Sequence, residues 1–308
     1  LARWCETIVI EKRGQTISEG YVTLATGAQR YFDMAAMFAL SARVNDPARA
    51  VCLVTDENSM VPEYAATIFD VVVKMKSSSE YVGCTNKIRL HEVAPFQRNM
   101  YVDADCLLVK REIDGIWREA RGSAFTMTGE KRTSGHWNQL DIAWACKQFQ
   151  VPYVVQMNSG VFYWERGDAA TDFFAHVKHL FEHHRNKISN IHQGRAGQYA
   201  DEPIFGLAMG SFGINPLEEP HASGSWMVTT WRARNCRFDV FSGESYLRKA
   251  AGFRLFGRFW ADRWVEHSPI IAHFIGLKPR GLYRAQCARL LDWANHKGHY
   301  SARLTLPI

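Results

Sequence analysis

A mixed α/β fold built on a mostly parallel sheet is what this 308-residue sequence predicts, and three observations carry the prediction. Strand-like apolar runs alternate with segments of helical periodicity, the order that lays helices against the faces of a parallel sheet. The run Val51-Cys52-Leu53-Val54-Thr55 is apolar without alternation, as a strand buried on both faces must be. A composition of 47% hydrophobic and 22% charged residues is that of an ordinary globular protein large enough for a full core, and no run of eighteen apolar residues marks a membrane span.

In chain order, Tyr21–Ala25 reads as a first strand ended by Thr26-Gly27. Asp33–Arg43 reads as a helix, with apolar residues at 34, 37 and 38 near helical spacing. After the Val51 strand come a helix-like Pro62–Thr67, a strand at Phe69–Val73, and a helix at Lys87–Phe96 leading into the strand Met100–Val109. Ala124–Thr128 and Met157–Trp164 read as further strands. Asp168 is placed to cap a helix whose apolar positions 170, 173, 174, 177, 180 and 181 form one face. Asp201-Glu202-Pro203 opens another helix, with proline in its first turn. Pro269–Ala272 is a strand leading to His273. No repeat or Pro/Ser-rich linker is present, and the chain is divided into residues 1–220, for nucleotide sugar and acceptor, and a C-terminal segment 221–308.

The Met100 strand carries the most informative residues, Asp103-Ala104-Asp105. Desolvating a carboxylate costs several kcal/mol unless it is paired. A divalent cation held against a polyphosphate removes that cost, and hard oxygen ligands suit Mn²⁺ or Mg²⁺. Two solvated acids at a strand end are the alternative. Asn158-Ser159-Gly160 offers two small hydrogen-bonding side chains and a glycine, which lets a sugar approach closely. Asp201 and Glu202 are either functional or simply acids matched to a helix dipole. His273 after a strand is either structural or a ligand.

Taken together and in order, Thr23-Leu24-Ala25-Thr26 with Tyr31, Lys87, Asp103-Ala104-Asp105, Asn158-Ser159-Gly160, Asp201-Glu202 and His273-Phe274-Ile275-Gly276-Leu277-Lys278-Pro279 resemble the motif series of the glycogenin and lipopolysaccharide-galactosyltransferase family, glycosyltransferase family eight. The resemblance covers residues 20 to 280 and rests on order and spacing, not on any single motif. It implies a retaining enzyme of the GT-A fold, a Rossmann-like parallel sheet flanked by helices, here with a C-terminal helical, basic-aromatic extension. It further implies that Asp103, Asp105 and His273 bind Mn²⁺ or Mg²⁺. Thr23, Ala25 and Tyr31 would line the base pocket, with Tyr31 stacking on uracil. Lys87 and Ala104 would lie against the donor, Asn158, Ser159 and Asp201 would bind the sugar hydroxyls, and Gly276 and Lys278 would close over the diphosphate of a UDP-sugar. Two departures stand out. One residue separates Gly276 from Lys278 where the family usually has two, so Lys278 reaches the diphosphate differently or Arg280 substitutes for it. Glu202 stands where many members have glutamine, which resembles the retaining family that makes blood-group sugars. Attack by Glu202 on the anomeric carbon and front-face attack with Glu202 as charge stabiliser both remain open.

Other signals are less specific. Seven scattered cysteines without a Cys-x-x-Cys pair imply a reducing compartment and no disulfide framework, and Leu1–Glu6 lack the layout of a signal peptide, so a cytoplasmic location is expected. His176, His179, His183 and His184 read as an exposed helix face, not a zinc site. Phe253, Phe256, Trp260 and Trp264 recur at helical spacings beside Lys249, Arg254, Arg258 and Arg263, and residues 231–265 hold eight Lys/Arg against three Asp/Glu. Core packing or a subunit contact is the first reading of that stripe, with a peripheral membrane helix or a nucleic-acid surface as alternatives.

The function expected is a metal-dependent retaining transfer of a sugar from a UDP-sugar to a hydroxyl of a saccharide or glycolipid. A phage-type DNA glycosyltransferase, a nucleotide-sugar pyrophosphorylase and a non-catalytic sugar-nucleotide-binding protein are the rivals. Thr26-Gly27-Ala28-Gln29-Arg30 is a poor version of the glycine-rich loop a pyrophosphorylase needs, and a binding module needs no Glu202.

Overall fold

The computed structural model describes residues 7–8, 18–138, 140–189, 199–217, 226–255 and 258–297. The chain runs β1 (Thr7–Ile8), β2 (Glu19–Leu24), α1 (Gln29–Asn45), β3 (Ala50–Asp56), α2 (Ala65–Ile68), β4 (Val71–Met75), α3 (Leu90–Val93), β5 (Arg98–Val102), β6 (Cys106–Leu108) and α4 (Asp114–Ala120). It continues through short strands β7 (Glu130–Arg132), β8 (His136–Trp137) and β9 (Leu140–Asp141), then α5 (Ile142–Phe149), β10 (Val154–Gln156), β11 (Val161–Glu165), α6 (Asp168–Ile188) and α7 (Glu202–Ser211). The last elements are β12 (Met227–Thr229), β13 (Ala233–Asp239), β14 (Glu244–Leu255), β15 (Arg258–His267), β16 (Ile271–His273) and α8 (Arg280–His296).

The main sheet has the order β1-β4-β3-β2-β5-β11. Its four central strands are parallel, and β1 and β11 are antiparallel at the edges. The predicted parallel core is therefore present, with β3 buried along its length up to Thr55. A second sheet, β12-β16-β6, joins the C-terminal segment to the strand that follows Asp105. Helix α1 is buried on nearly every side because β3 lies against one face while β6 and α8 cover others. That is why its apolar periodicity is weak and why it is longer than Asp33–Arg43. Its end is anchored by polar contacts: Asn45 Nδ2 donates to the Leu108 and Val240 carbonyls at 2.9 and 3.0 Å, and Ser41 Oγ accepts from Leu108 N–H.

Helix α6 buries all six apolar positions read from its sequence. With α7 it covers an aromatic cluster in which Phe125 stacks on Phe173 and Phe205 at 4.3 and 5.5 Å between ring centroids. Asp168 is the first helical residue, and Gly167 occupies the cap. Other boundaries move too. Ala124–Thr128 contributes only bridges at Thr126 and Thr128, and Met157–Asn158 is irregular and leads into a turn at Ser159–Gly160, so β11 starts at Val161. Lys87–Phe96 splits into a 3₁₀ segment, Gly83–Arg89, and the single turn α3.

The aromatic stripe is not a helix. Residues 244–255 and 258–267 form a hairpin, with Phe253 opposite Trp260 and Ala250 opposite Trp264. The period of two in Ser245-Tyr246-Leu247-Arg248 wins, since Ser245 and Leu247 are buried while Tyr246 and Arg248 stay partly exposed. On the open face Arg237 and Arg248 pair with Glu244 and Glu266, and Arg234 stacks on Trp264 at 4.6 Å. Phe256 lies outside the described residues, as does the division placed near residue 220. No helix among the described residues is long and apolar enough to cross a membrane.

Candidate active site

A cavity of about 1100 Å³ opens beyond the carboxyl ends of β2 and β5, where ligands of open α/β sheets bind. Asp103-Ala104-Asp105 forms the turn between β5 of the main sheet and β6 of the second, closed by Cys106 N–H donating to the Asp103 carbonyl. His273 ends β16, whose antiparallel register sets it opposite Cys106, and Phe274 N–H donates to the Asp105 carbonyl. Residues 167 positions apart in sequence are thus cross-strand neighbours by register. His273 Nε2 stands 3.0 Å from Asp105 Oδ1 and 3.8 Å from Asp103 Oδ2.

Asn158 decides how this imidazole is used. Its Oδ1 accepts from Gly160 N–H at 3.1 Å and lies 2.9 Å from His273 Nδ1, so Nδ1 carries the hydrogen and Nε2 is turned toward the acids. Burial pushes the His273 pKa down, but the negative charge and hydrogen bond of Asp105, then Asp103, outweigh it and raise it. Two carboxylates and an imidazole presented through Nε2 form a donor set that fits Mn²⁺ or Mg²⁺. Donor atoms of Asp105, Cys106 and His273 lie within 4.8 Å of one another, but Cys106 is there as the cross-strand partner of His273. Burial, then Asp105, holds the Cys106 thiol protonated, which makes it a poor ligand for a hard ion.

Gly160 has no room for a side chain, because an added Cβ would lie 2.5 Å from His273 Nδ1 and 2.8 Å from Asn158 Oδ1. Gly160→Ala is therefore expected to displace His273 and weaken cation-dependent nucleotide binding at least tenfold, with a stability loss of about 1–3 kcal/mol. Calorimetry and thermal unfolding would check both.

Lys87 is buried at the back of the cavity, its Nζ 3.0 Å from Asp103 Oδ1, 3.5 Å from Asp201 Oδ2 and 3.2 Å from the Ser159 carbonyl and hydroxyl oxygens. Burial opposes its charge, yet Asp103 and then Asp201 raise its pKa, so it remains an ammonium. Asp103 is held low by Lys87, then His273, against its burial, and Tyr101 OH donates to it at 2.5 Å.

Asp201 and Glu202 open α7, which lies tightly on β10 because side chains at Gly206 and Gly210 would collide with the Val155 and Tyr153 carbonyls. Asn158 Nδ2 donates to Glu202 Oε1 at 2.8 Å and Asn138 Nδ2 to Oε2 at 2.9 Å. Burial, then the charge of Asp201, pushes Glu202 up to about 7.

Of the residues singled out in sequence, Ala25, Tyr31, Lys87, Asp103, Ala104, Asp105, Asn158, Ser159, Asp201, Glu202, His273 and Gly276 all line the cavity. Thr23 is fully buried in β2, one residue before the strand end, and is outside the lining. Lys278 is also outside it: its ammonium lies 5.9 Å from the Trp231 ring centroid. Asn138, Arg30, Cys84 and Tyr101 line the cavity without having been anticipated. Tyr101 was readable, since two residues along a strand it must share a face with Asp103. Asn138 was not: it sits at φ 46 in the β8–β9 turn and reaches Glu202 across 64 positions. The histidines of α6 form a surface row, with His179 and His183 rings 4.6 Å apart, and no three-ligand cluster arises there among the described residues.

No family model matches the sequence, and no curated protein does. Solved structures do. The galactosyltransferase LgtC in complex with donor and acceptor sugar analogs matches with a TM-score of 0.52 at 13% identity, over 92% of this chain and 97% of that one. An active-site mutant of LgtC matches at 0.53 and 14% identity over the same shares. The chain has the GT-A glycosyltransferase fold. Within this GT-A fold, the Asp103 turn, His273 and the Asp201-Glu202 pair surround one cavity.

Proposed function

We propose that the protein is a metal-dependent retaining glycosyltransferase that moves a sugar from a UDP-sugar to a hydroxyl of a saccharide or glycolipid. The observation that carries this reading is the single cavity walled by Asp103, Asp105 and His273 on one side and by Asp201 and Glu202 on the other. LgtC, whose fold this chain shares, is a galactosyltransferase described with donor and acceptor sugar analogs. In this reading residues 1–220 bind donor and acceptor, and residues 221–308 contribute His273 and the segment that follows it.

Asp103, Asp105 and His273 would hold a divalent cation, Mn²⁺ or Mg²⁺, which when bound neutralises charge developing on the leaving diphosphate. Tyr31 and Ala25 receive the base. Lys87 holds Asp103 ionised and, pairing with both Asp103 and Asp201, fixes their orientation. Asn158, Ser159 and Asp201 hold the sugar hydroxyls. Glu202, its two oxygens fixed by Asn138 and Asn158, sets a negative charge beside the anomeric carbon, where oxocarbenium character develops.

Incubation of the purified protein with a panel of UDP- and GDP-sugars, with and without Mn²⁺, tests the reading through released nucleotide. Mn²⁺-dependent release from one UDP-sugar is expected. No release, together with no calorimetric binding of UDP in Mn²⁺, would overturn it.

A further inference from the structure

We propose that Arg280, not Lys278, is the side chain that pairs with the donor diphosphate; the assignment rests on the nucleotide-sugar reading above. The turn after His273 passes through two consecutive left-handed residues, Gly276 at φ 62 and Leu277 at φ 59, and Leu277 N–H donates to the Phe274 carbonyl. Its far end is pinned by Thr230, whose N–H donates to the His273 carbonyl and whose Oγ1 donates to the Lys278 carbonyl. With only Leu277 between Gly276 and Lys278, the lysine leaves this turn on the outer side, toward the half-exposed Trp231. Arg280, two residues on at the start of α8, lines the cavity beside Ile275, Gly276 and Leu277.

Charge accounting points the same way. The cavity wall carries four carboxylates, Asp103, Asp105, Asp201 and Glu202, and the buried cation Lys87 is committed to two of them. Arg30, the other arginine of the wall, stands over the Tyr31 ring at 4.8 Å, at the base end, with its guanidinium donating to Tyr31 OH. No ion pair among the described residues engages Arg280. A guanidinium also presents paired N–H donors that match two phosphate oxygens, which an ammonium does not.

The test compares Arg280→Ala, Arg280→Lys and Lys278→Ala by calorimetry, with UDP and uridine as ligands in Mn²⁺, and thermal unfolding as the control for folding. Arg280→Ala is expected to weaken UDP at least tenfold and uridine less than twofold, since uridine lacks the diphosphate. Arg280→Lys should fall between, and Lys278→Ala should bind both ligands within twofold of the unsubstituted protein. A tenfold loss of UDP in Lys278→Ala, or unchanged UDP binding in Arg280→Ala, would overturn the assignment while leaving the donor reading intact. Failure of the unsubstituted protein to bind UDP at all would overturn the donor reading, and this assignment with it.

Discussion

Asp105→Ala is expected to lower UDP-sugar turnover by about a thousandfold or more while leaving the protein folded. The two adjacent acids should separate in this respect. Asp105 has a partly exposed carboxylate whose close partner is His273, so its loss should cost about 1 kcal/mol or less. Asp103 neutralises the buried ammonium of Lys87, leaving only Asp201 at 3.5 Å when it is removed. Asp103→Ala should therefore lose activity and in addition about 3 kcal/mol of stability, because the buried ammonium keeps only the more distant Asp201 as counter-charge. Turnover and denaturant unfolding measured on both variants check the contrast. Equal destabilisation, or substantial activity in Asp105→Ala, would count against the ligand role.

Glu202→Gln is expected to lower turnover by about 10²–10³-fold and to remove a pH limb expected of the unsubstituted protein. With Glu202 pushed up to about 7, its ionised form is lost as pH falls through that value, and the rate should fall about tenfold per pH unit below it. The effect on stability has the opposite direction. A carboxyl whose pKa is raised by folding favours the native state while protonated, so its contribution is fully present below the unfolded value of about 4.5 and is lost as pH rises to about 7. Glu202→Gln should thus gain on the unsubstituted protein by on the order of 2–3 kcal/mol between those pH values. Unfolding and rate measured across pH 4 to 8 would show both limbs; a rate limb unchanged in Glu202→Gln would assign it to another group.

These two effects draw on different kinds of information. Asp103 and Asp105 stand out in the sequence because carboxylates interrupt an apolar run, and a buried charge demands a partner whatever the fold. The strand positions of β2, β3 and β5 and the buried face of α6 are legible for a related reason, since apolar spacing of two, of 3.6 or without gaps reports local burial directly. Short elements such as α2 and α3 blur, because one turn of helix has too few residues to show a period. The hairpin at 244–267 misleads because aromatic residues at spacings of three and four coincide with a helical pattern, while its alternating buried and open residues fit a sheet.

The sequence by itself determined the parallel α/β core and the place of the acidic turn at a strand end, and its resemblance to a known motif series pointed to twelve residues of the cavity wall. The core and the turn follow from interactions between near neighbours along the chain and from the cost of burying a charge. Only the tertiary structure decided which donors meet. The register of β16 on β6 sets His273 against Asp105, and Asn158 turns that imidazole while holding Glu202. Asn138 arrives on the other carboxylate oxygen from a distant turn. The tight bend at Gly276 and Leu277 sends Lys278 outward and leaves Arg280 on the cavity wall. Hydrogen bonds and side-chain directions of this kind depend on angles and registers set by residues far away in the chain, and no local spacing encodes them.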